Sequence, residues 1–374
     1  MARCGDRAKG RRTAARGGGF AMILVLMLIA TATVLGLSYL NSATVRLAGT
    51  SNLLLATRAQ YLAESGLEHA LWLLRVAPEQ LDGSASDPLG PFQADESDDS
   101  YSFYAEPLTG ENGVYLVTAT AQVESVTRTV SLQVKYTSHY RDEVLSHGPR
   151  QYWRLGETWG NWAYDTMDRD DGRYRNGVTL GCVGAIPHAG NYAAEFDGTN
   201  DYIDLDDLDI NGSDMTILAW AKADDWDRDD GRIISKATGT AERDHYWMVS
   251  TVEHQGEIRL RYRLDAQGRT KTLNADEGAL EAGKWFFVAA VYDGRKMKLY
   301  KDGVLVGQRN QSGNIRTSGS VPAWIGGNPS GETDRPWDGV IDEVAVYRHD
   351  LTAEQIAALY EARLPSMEIQ TWQE

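Results

Sequence analysis

The chain has 374 residues, a formal net charge of −16 at neutral pH and two cysteines. That length predicts about two domains, and the acidic balance argues against nucleic acid, whose phosphates need clustered Lys and Arg. Two cysteines, Cys4 and Cys182, exclude a cysteine-based zinc cluster.

The first element is an apolar run behind a basic leader. Arg3, Arg7, Lys9, Arg11, Arg12 and Arg16 precede it, and no charge interrupts it from Phe20 until Arg46. About 20 apolar residues cross a bilayer as helix. The basic flank predicts a cytoplasmic N-terminus and an extracytoplasmic remainder. An ordinary secretory signal would have a shorter core and a small-residue cleavage box, which Tyr39, Leu40 and Asn41 do not provide. Beyond the run, residues 41–75 hold no proline, and apolar positions recur at helical spacing (Leu47, Leu54, Leu55, Ala59, Leu62, Gly66, Ala70, Leu73). Span and amphipathic stretch together predict one helix of about 55 residues, roughly 80 Å long. A helix of that length is expected to bundle with copies or partners.

Two short motifs on this region carry a resemblance. The glycines precede the apolar run ("GGGF", 17–20), and "RAQYLAESGLEHALWLL" (58–74) follows it. The first resembles a prepilin-type signal, which implies cutting by prepilin peptidase between Gly19 and Phe20 and loss of the 1–19 leader, Cys4 included. The second is similar to the region after the span in PilX-type minor pilins and K-type minor pseudopilins of type II secretion. Major pilins carry Glu at the fifth mature position; here that position is Leu24. An unpaired intramembrane carboxylate is costly, and its absence fits a minor subunit. A plain type II membrane anchor with a chance glycine run is the alternative.

Residues 81–100 ("LDGSASDPLGPFQADESDDS") read as loop. "YSFYAEP", "GVYLVTATAQV" and "TRTVSLQVKY" then read as three strands of a small antiparallel sheet. The expected organisation is a leader (1–19), a transmembrane and amphipathic helix (20–75), a small β domain (76–137), a linker (138–151), a large β domain (152–364) and a tail (365–374). The N-terminal part is thus α+β and pilin-like.

From Tyr152 the texture is all-β. About ten short apolar strands alternate with Gly- and Asp-rich turns, which predicts a two-sheet sandwich or barrel. "TAEQIAALYEA" (352–362) is a closing helix with Thr352 as its N-cap. "YWRLGE", "AEFDGTNDYIDL", "TILAWAK", "KWFFVAAVYDGRKMKLYKDGVLV" and "GVIDEVAVYRHDLTAEQIAALY" together resemble the laminin-G-like, concanavalin A-like jelly roll. The resemblance implies two curved antiparallel sheets, a concave face and loops at the rim.

Trp153, Trp220, Trp285, Phe287 and Tyr292 alternate along strands and read as core, whereas Trp226, Trp247 and Trp337 are candidates for either core or sugar stacking. Jelly-roll glucanases place two carboxylates on one strand by period-two alternation. No such strand is present: "DYIDLDDLD" (201–209) has no Glu, and Asp342 and Glu343 are adjacent, which predicts opposite faces. The expectation is therefore no enzyme. The resemblance implies a structural Ca2+ held by Asp342, with Asp197 and Asp201 as weaker partners; equally, Asp197 caps a turn and Asp342 accepts backbone hydrogen bonds. "DDWDRDDG" (224–231) matches a calcium loop in composition only and reads as a solvated acidic turn.

The expected protein is a single-span component of a bacterial cytoplasmic membrane, displaying its jelly roll outside the cytoplasm on a type IV pilus or type II secretion-like filament. Its expected partners are the membrane, other pilin or pseudopilin subunits, prepilin peptidase and a glycan or surface-protein ligand. A purely structural capping subunit is the alternative.

Overall fold

The computed structural model describes residues 18–76, 80–81, 83–94, 98–108, 113–187, 191–226, 230–331 and 333–373, with backbone only at 18–23 and 373. The leader residues 1–17, Cys4 among them, lie outside the described residues, and at the expected cleavage point Gly19 and Phe20 are described as helical backbone alone.

The N-terminal elements are α1 (Gly18–Val76), β1 (Leu89–Gln93), β2 (Ser100–Pro107), β3 (Val114–Val123) and β4 (Val126–Thr137). Next come α2 (Tyr140–Ser146), β5 (Gln151–Trp153), β6 (Trp162–Ala163), β7 (Gly172–Arg175), β8 (Thr179–Val183), β9 (Tyr192–Asp197) and β10 (Tyr202–Asp204). The middle strands are β11 (Met215–Ala223), β12 (Arg232–Ala237), β13 (His245–His254), β14 (Glu257–Ala266) and β15 (Arg269–Asn274). The chain closes with β16 (Phe286–Tyr292), β17 (Lys296–Lys301), β18 (Val304–Asn310), β19 (Ala323–Ile325), β20 (Asp338–Tyr347), α3 (Ala353–Glu361) and β21 (Ser366–Gln373).

Cα packing divides the chain into two compact units: Met1–Gly66, Gly90–Ser102 and Thr120–Val130 form one; Leu67–Leu89, Phe103–Ala119 and Ser131–Glu374 form the other. In the first, α1 is long and apolar enough over Leu24–Val76 to cross a membrane, and its large apolar side chains from Leu24 to Leu40 are exposed. Arg58 pairs with the buried Asp99 at 2.6 Å. The second unit holds most of the protein. It includes the ring contact of His69 with Phe103, edge-on at 4.9 Å, and the whole sandwich.

The small sheet has five strands in the order β1-β2-β3-β4-β21, not three. The expected tail supplies the fifth: Ser366 to Gln373 pair antiparallel with Thr137 to Ser131. The expected linker is not free chain either. α2 lies within it, and its Tyr140 and Val144 are buried.

The sandwich stacks two eight-stranded antiparallel sheets. One runs β15-β14-β13-β12-β19-β10-β7-β6; the other runs β18-β17-β16-β11-β20-β9-β8, with β5 paired to a further stretch of β20. Successive strand residues face opposite sides, so registered rows alternate between core and surface. In the first sheet Leu273, Tyr262, Val249, Ile234, Ile325, Ile203 and Tyr174 form one such row, and all seven sit in the core between the sheets. Trp153, Trp247 and Trp337 are core residues too, fully buried with it; Trp226 and Trp285 are only partly buried.

The outer face of the second sheet is covered. Tyr140 and Val144 of α2 and Ile356 and Leu359 of α3 pack on Leu218, Trp220, Phe287, Ala289, Tyr300, Ala345 and Tyr347. Thr352 caps α3 as expected, accepting from Gln355 N, while the Gln355 side chain accepts from Thr352 N. The hairpin turn at Asp302 and Gly303 has φ of +51° and +81°, the left-handed pair that a two-residue Asp-Gly turn requires.

Candidate ligand face and the acidic sites

The outer face of the first sheet is different in kind. Across all eight strands the register aligns Thr272, Arg263, Met248, Ser235, Trp324, Asp204, Arg173 and Trp162. A second row holds Asn274, Arg261, Ser250 and Arg232. The pattern follows from β14, "EIRLRYRLDA", whose arginines 259, 261 and 263 alternate with Ile258, Leu260, Tyr262 and Leu264.

The middle of this face is a floor under loops. Ser235 Oγ donates to Gly327 O at 2.8 Å. Arg263 donates from Nη1 to Thr240 O (3.2 Å) and from Nε to Thr272 Oγ1 (3.2 Å). Thr272 in turn donates to Glu242 Oε1 at 2.8 Å. Asp230 gathers Arg232, Arg261 and, at 3.4 Å, Arg335. The expected solvated acidic turn therefore ends in an arginine anchor; Asp227, Arg228 and Asp229 lie outside the described residues. Tyr202 and Trp324 stack at 3.7 Å with 19° between their planes.

At the β6 edge the face opens. Trp159, Trp162 and Tyr164 are 84%, 47% and 60% exposed. Three such rings within six residues are an unusual surface, since exposed aromatic clusters mark contact sites. The segment is pinned from behind: Glu157 accepts from Tyr164 N (3.0 Å) and from Tyr174 Oη (2.7 Å). The Arg173 guanidinium lies 5.5 Å from the Trp162 ring centroid. None of these aromatics was singled out by sequence pattern, although "ETWGNWAYD" carries them in plain view between two short strands.

A cavity of about 900 Å³ lies elsewhere in the same unit, lined in part by Trp220, Trp285, Tyr360, Lys222 and Arg363. Two of its cations are already placed over its own rings, Lys222 at 5.4 Å from Trp285 and Arg363 at 3.9 Å from Tyr360, and Lys284 pairs with Glu281 at 2.6 Å.

The three expected calcium ligands are not brought together. Asp197 Oδ1 caps a turn, accepting from Thr199 N (2.8 Å) and Asn200 N (3.4 Å). Asp201 accepts from Asp197 N at 3.3 Å, and burial, then the Asp197 charge, raises its carboxyl above the ordinary range. Asp197 is level with Asp338 in the β9–β20 ladder, and Ala194 with Ile341. Asp342 therefore lies four residues further along β20, about 13 Å at strand rise. Among the described residues no group of three or more His, Cys, Asp or Glu is placed to hold a metal.

Asp342 and Glu343 correct the alternation argument. Ile341, Val344 and Val346 all enter the core, which leaves two residues where alternation allows one. The ladder with β11 is irregular between Leu218 and Trp220, and Glu343 has φ of +53°. This is a β-bulge, and it turns both carboxylates to one side. Asp342 Oδ2 accepts from Ala185 N (2.8 Å) and Asn191 Nδ2 (2.9 Å). Glu343 accepts from Arg154 Nε at 3.2 Å and from Tyr152 Oη, and Arg154 Nη2 donates to Asn191 Oδ1 at 3.3 Å. Burial, then the Glu343 charge, pushes the Asp342 carboxyl far above its ordinary range. Burial also raises Glu343, against the opposing Arg154. Two buried carboxylates facing one arginine cannot both ionise cheaply. As a cation site the pair fits poorly: Asp342 offers one unpartnered oxygen, Oδ1, whereas Ca2+ takes six to eight.

Cys182 lies on β8 and is partly exposed. Its thiol reaches Glu195 Oε2 at 3.4 Å, and burial with that carboxylate pushes it up to about 11.

The fold defines the class: a two-sheet, all-antiparallel jelly roll behind a long N-terminal helix. Residues 197–357 match Laminin_G_3, the concanavalin A-like lectin/glucanases superfamily, so the chain carries a domain of this kind. A comparison with curated proteins found no match. Among solved structures the chain is similar to domain 4 of AbnA, a GH43 extracellular arabinanase from Geobacillus stearothermophilus, in complex with arabinotriose (17% identity, 57% of this chain, 98% of that one, TM-score 0.44). It is also similar to a heptameric SAP-like pentraxin from Limulus polyphemus (20% identity, 44% and 80% coverage, TM-score 0.37). A third likeness is to the botulinum neurotoxin serotype D ligand-binding domain in complex with N-acetylneuraminic acid (16% identity, 57% and 50% coverage, TM-score 0.42).

Proposed function

We propose that this protein is a membrane-anchored binding protein whose jelly roll takes a glycan on the outer face of the β6–β15 sheet, at its exposed β6 edge. The observation that carries this reading is the pinned, exposed trio Trp159, Trp162 and Tyr164 at the edge of a polar face. Aromatic rings offer apolar faces for sugar rings, and the polar row beside them offers donors and acceptors for hydroxyls. The reading is binding and not hydrolysis, because Asp342 and Glu343 are buried and Glu343 is tied to Arg154.

For the carrier we propose a minor pilin or pseudopilin, matured by prepilin peptidase to begin at Phe20 and held in a filament through α1. An uninterrupted helix of 59 residues followed by a small antiparallel sheet supports this. So do the apolar side chains that α1 leaves exposed past the span, Val45, Leu47, Leu53 and Leu54. Mass spectrometry of membrane-bound protein co-expressed with the peptidase should find Phe20 as N-terminus; an intact leader leaves a plain anchor.

The binding reading is tested with the full chain in detergent on a glycan array. The Trp159→Ala, Trp162→Ala double variant should lose at least about tenfold in signal while its melting temperature moves by no more than about 2 °C, since surface substitutions cost little. No signal from the wild type on any glycan would sink this reading and favour a capping subunit.

A further inference from the structure

The floor of the same face contains a guanidinium with incomplete bonding. Arg232 opens β12 and is fully buried. Its Nη1 donates to Asp230 O at 3.0 Å and pairs with the Asp230 carboxylate. Its Nε and Nη2 are buried and have no partner. Those two N–H groups leave one edge of the planar fork in parallel, the arrangement that takes both oxygens of a single carboxylate. Buried donors are nearly always satisfied, so an unmet edge of this shape calls for a partner.

The surroundings select its charge. Arg261 and Arg335 converge on the same Asp230. Arg263 and Arg335 are close enough to work against the charge of Arg232, and Asp334 supports it. Glu242 does the same for Arg263. Among the described residues, the guanidiniums of Arg232, Arg263 and Arg335 thus share the carboxylates of Asp230, Asp334 and Glu242, with Arg261 also on Asp230. His245 adds no negative charge: its Nδ1 donates to Ala241 O at 2.8 Å, and its buried Nε2 is a further polar atom without a hydrogen-bond partner.

We propose that the ligand of this face carries a carboxylate, and that Arg232 receives it through Nε and Nη2. Resting on the glycan reading, this makes the ligand an acidic glycan. β12 and β6 are four strand steps apart in the sheet, about 19 Å at the usual spacing. A ligand that reaches both Arg232 and Trp162 is therefore an extended oligosaccharide with its acidic sugar at the β12 end.

The test does not depend on knowing the glycan. The melting temperature of the full chain is measured in sodium acetate and in sodium chloride at equal ionic strength and neutral pH. Acetate at about 100 mM should raise the wild type by about 3 °C through ligand linkage, and should not raise Arg232→Lys, which keeps the charge without the paired edge. Equal midpoints in the two salts for the wild type would overturn the proposal, because the edge is then met by water. The wild-type comparison stands even if the buried variant fails to fold. On a glycan array, signals confined to acidic glycans and reduced about threefold or more in Arg335→Ala support the proposal. Signals from neutral glycans alone overturn it and leave the binding reading intact. An acetate effect with no array signal supports the carboxylate site and removes the glycan reading.

Discussion

The two outer faces of the sandwich are made from the same kind of strand and come to opposite ends. On the β8–β18 sheet the outward residues are Leu218, Trp220, Phe287, Ala289 and Tyr347, and two helices cover them. On the β6–β15 sheet the outward residues are arginines, Ser, Thr, Asp, Met and Trp, and among the described residues no α-helix packs there, only loops and the single turn Glu242–Asp244. Apolar surface drives its own covering, because each buried square ångström contributes about 25 cal/mol. A polar face gives no such drive: its middle is roofed by loops over buried Arg232, Ser235 and Ser250, and only its β6 edge, with Trp159, Trp162 and Tyr164, is exposed. The contrast gives one face to stability, and on the proposed reading the other to recognition.

That division breaks first under a large-to-small change. Phe287→Ala removes a fully buried ring that packs against Trp220 at 5.3 Å and Tyr360 at 6.2 Å. It should cost about 3–5 kcal/mol by denaturant unfolding. Arg173→Ala, exposed on the opposite face, should stay within about 0.5 kcal/mol. Equal losses would mean that the open face is structural as well.

Acid sharpens the comparison next. His245 sits beneath the arginines of the open face, and burial, then Arg232 and Arg263, lowers it to about 4. Unfolded, it titrates near 6.5. The unfolded chain therefore takes up this proton first, and stability is lost as the pH falls from about 6.5 to about 4. The loss is at most about 3.5 kcal/mol at 1.36 kcal/mol per unit. Melting temperatures across that window should fall more steeply in the wild type than in His245→Gln. Parallel curves would show that the cluster does not press on the ring.

Much of this architecture is readable in the sequence, and the misses share a cause. The helix announces itself through an uncharged run from Phe20 to Val45, and the sandwich through period-two strands and Asp-Gly turns. The arginine face is written in "IRLRYRL" as every second residue. What strand period does not carry is an interruption. The bulge at Asp342 and Glu343 shifts alternation by one position, so adjacent acids that should diverge converge. Nor does it carry distant partners: β21 joins a strand more than 200 residues earlier, and α2, seven residues long, buries only Tyr140 and Val144. The aromatic trio shows a third limit, because exposure depends on the loop's path and not on composition.

The smallest effect lies where the covered face becomes polar. Burial, then the Glu343 charge, raises the Asp342 carboxyl well above its ordinary range. A carboxyl whose native pKa is raised costs stability as the pH climbs through the unfolded value towards the native one. Asp342→Asn removes that cost and keeps an oxygen for Ala185 N and Asn191 Nδ2. It should match the wild type near pH 4 and exceed it progressively as the pH rises towards 8, the sense set by the raised Asp342 carboxyl. Glu343→Gln removes a second raised carboxyl, so it should also flatten the pH dependence, but it strips Arg154 of its counter-charge and should lie below the wild type near pH 4. Calcium gives the same site a second reading. With one free oxygen at Asp342 and Glu343 committed to Arg154, millimolar Ca2+ and EDTA should leave the wild-type melting temperature within about 1 °C of each other. A rise of several degrees with Ca2+ that disappears in Asp342→Asn would place a cation between the two carboxylates and displace Arg154 from its role.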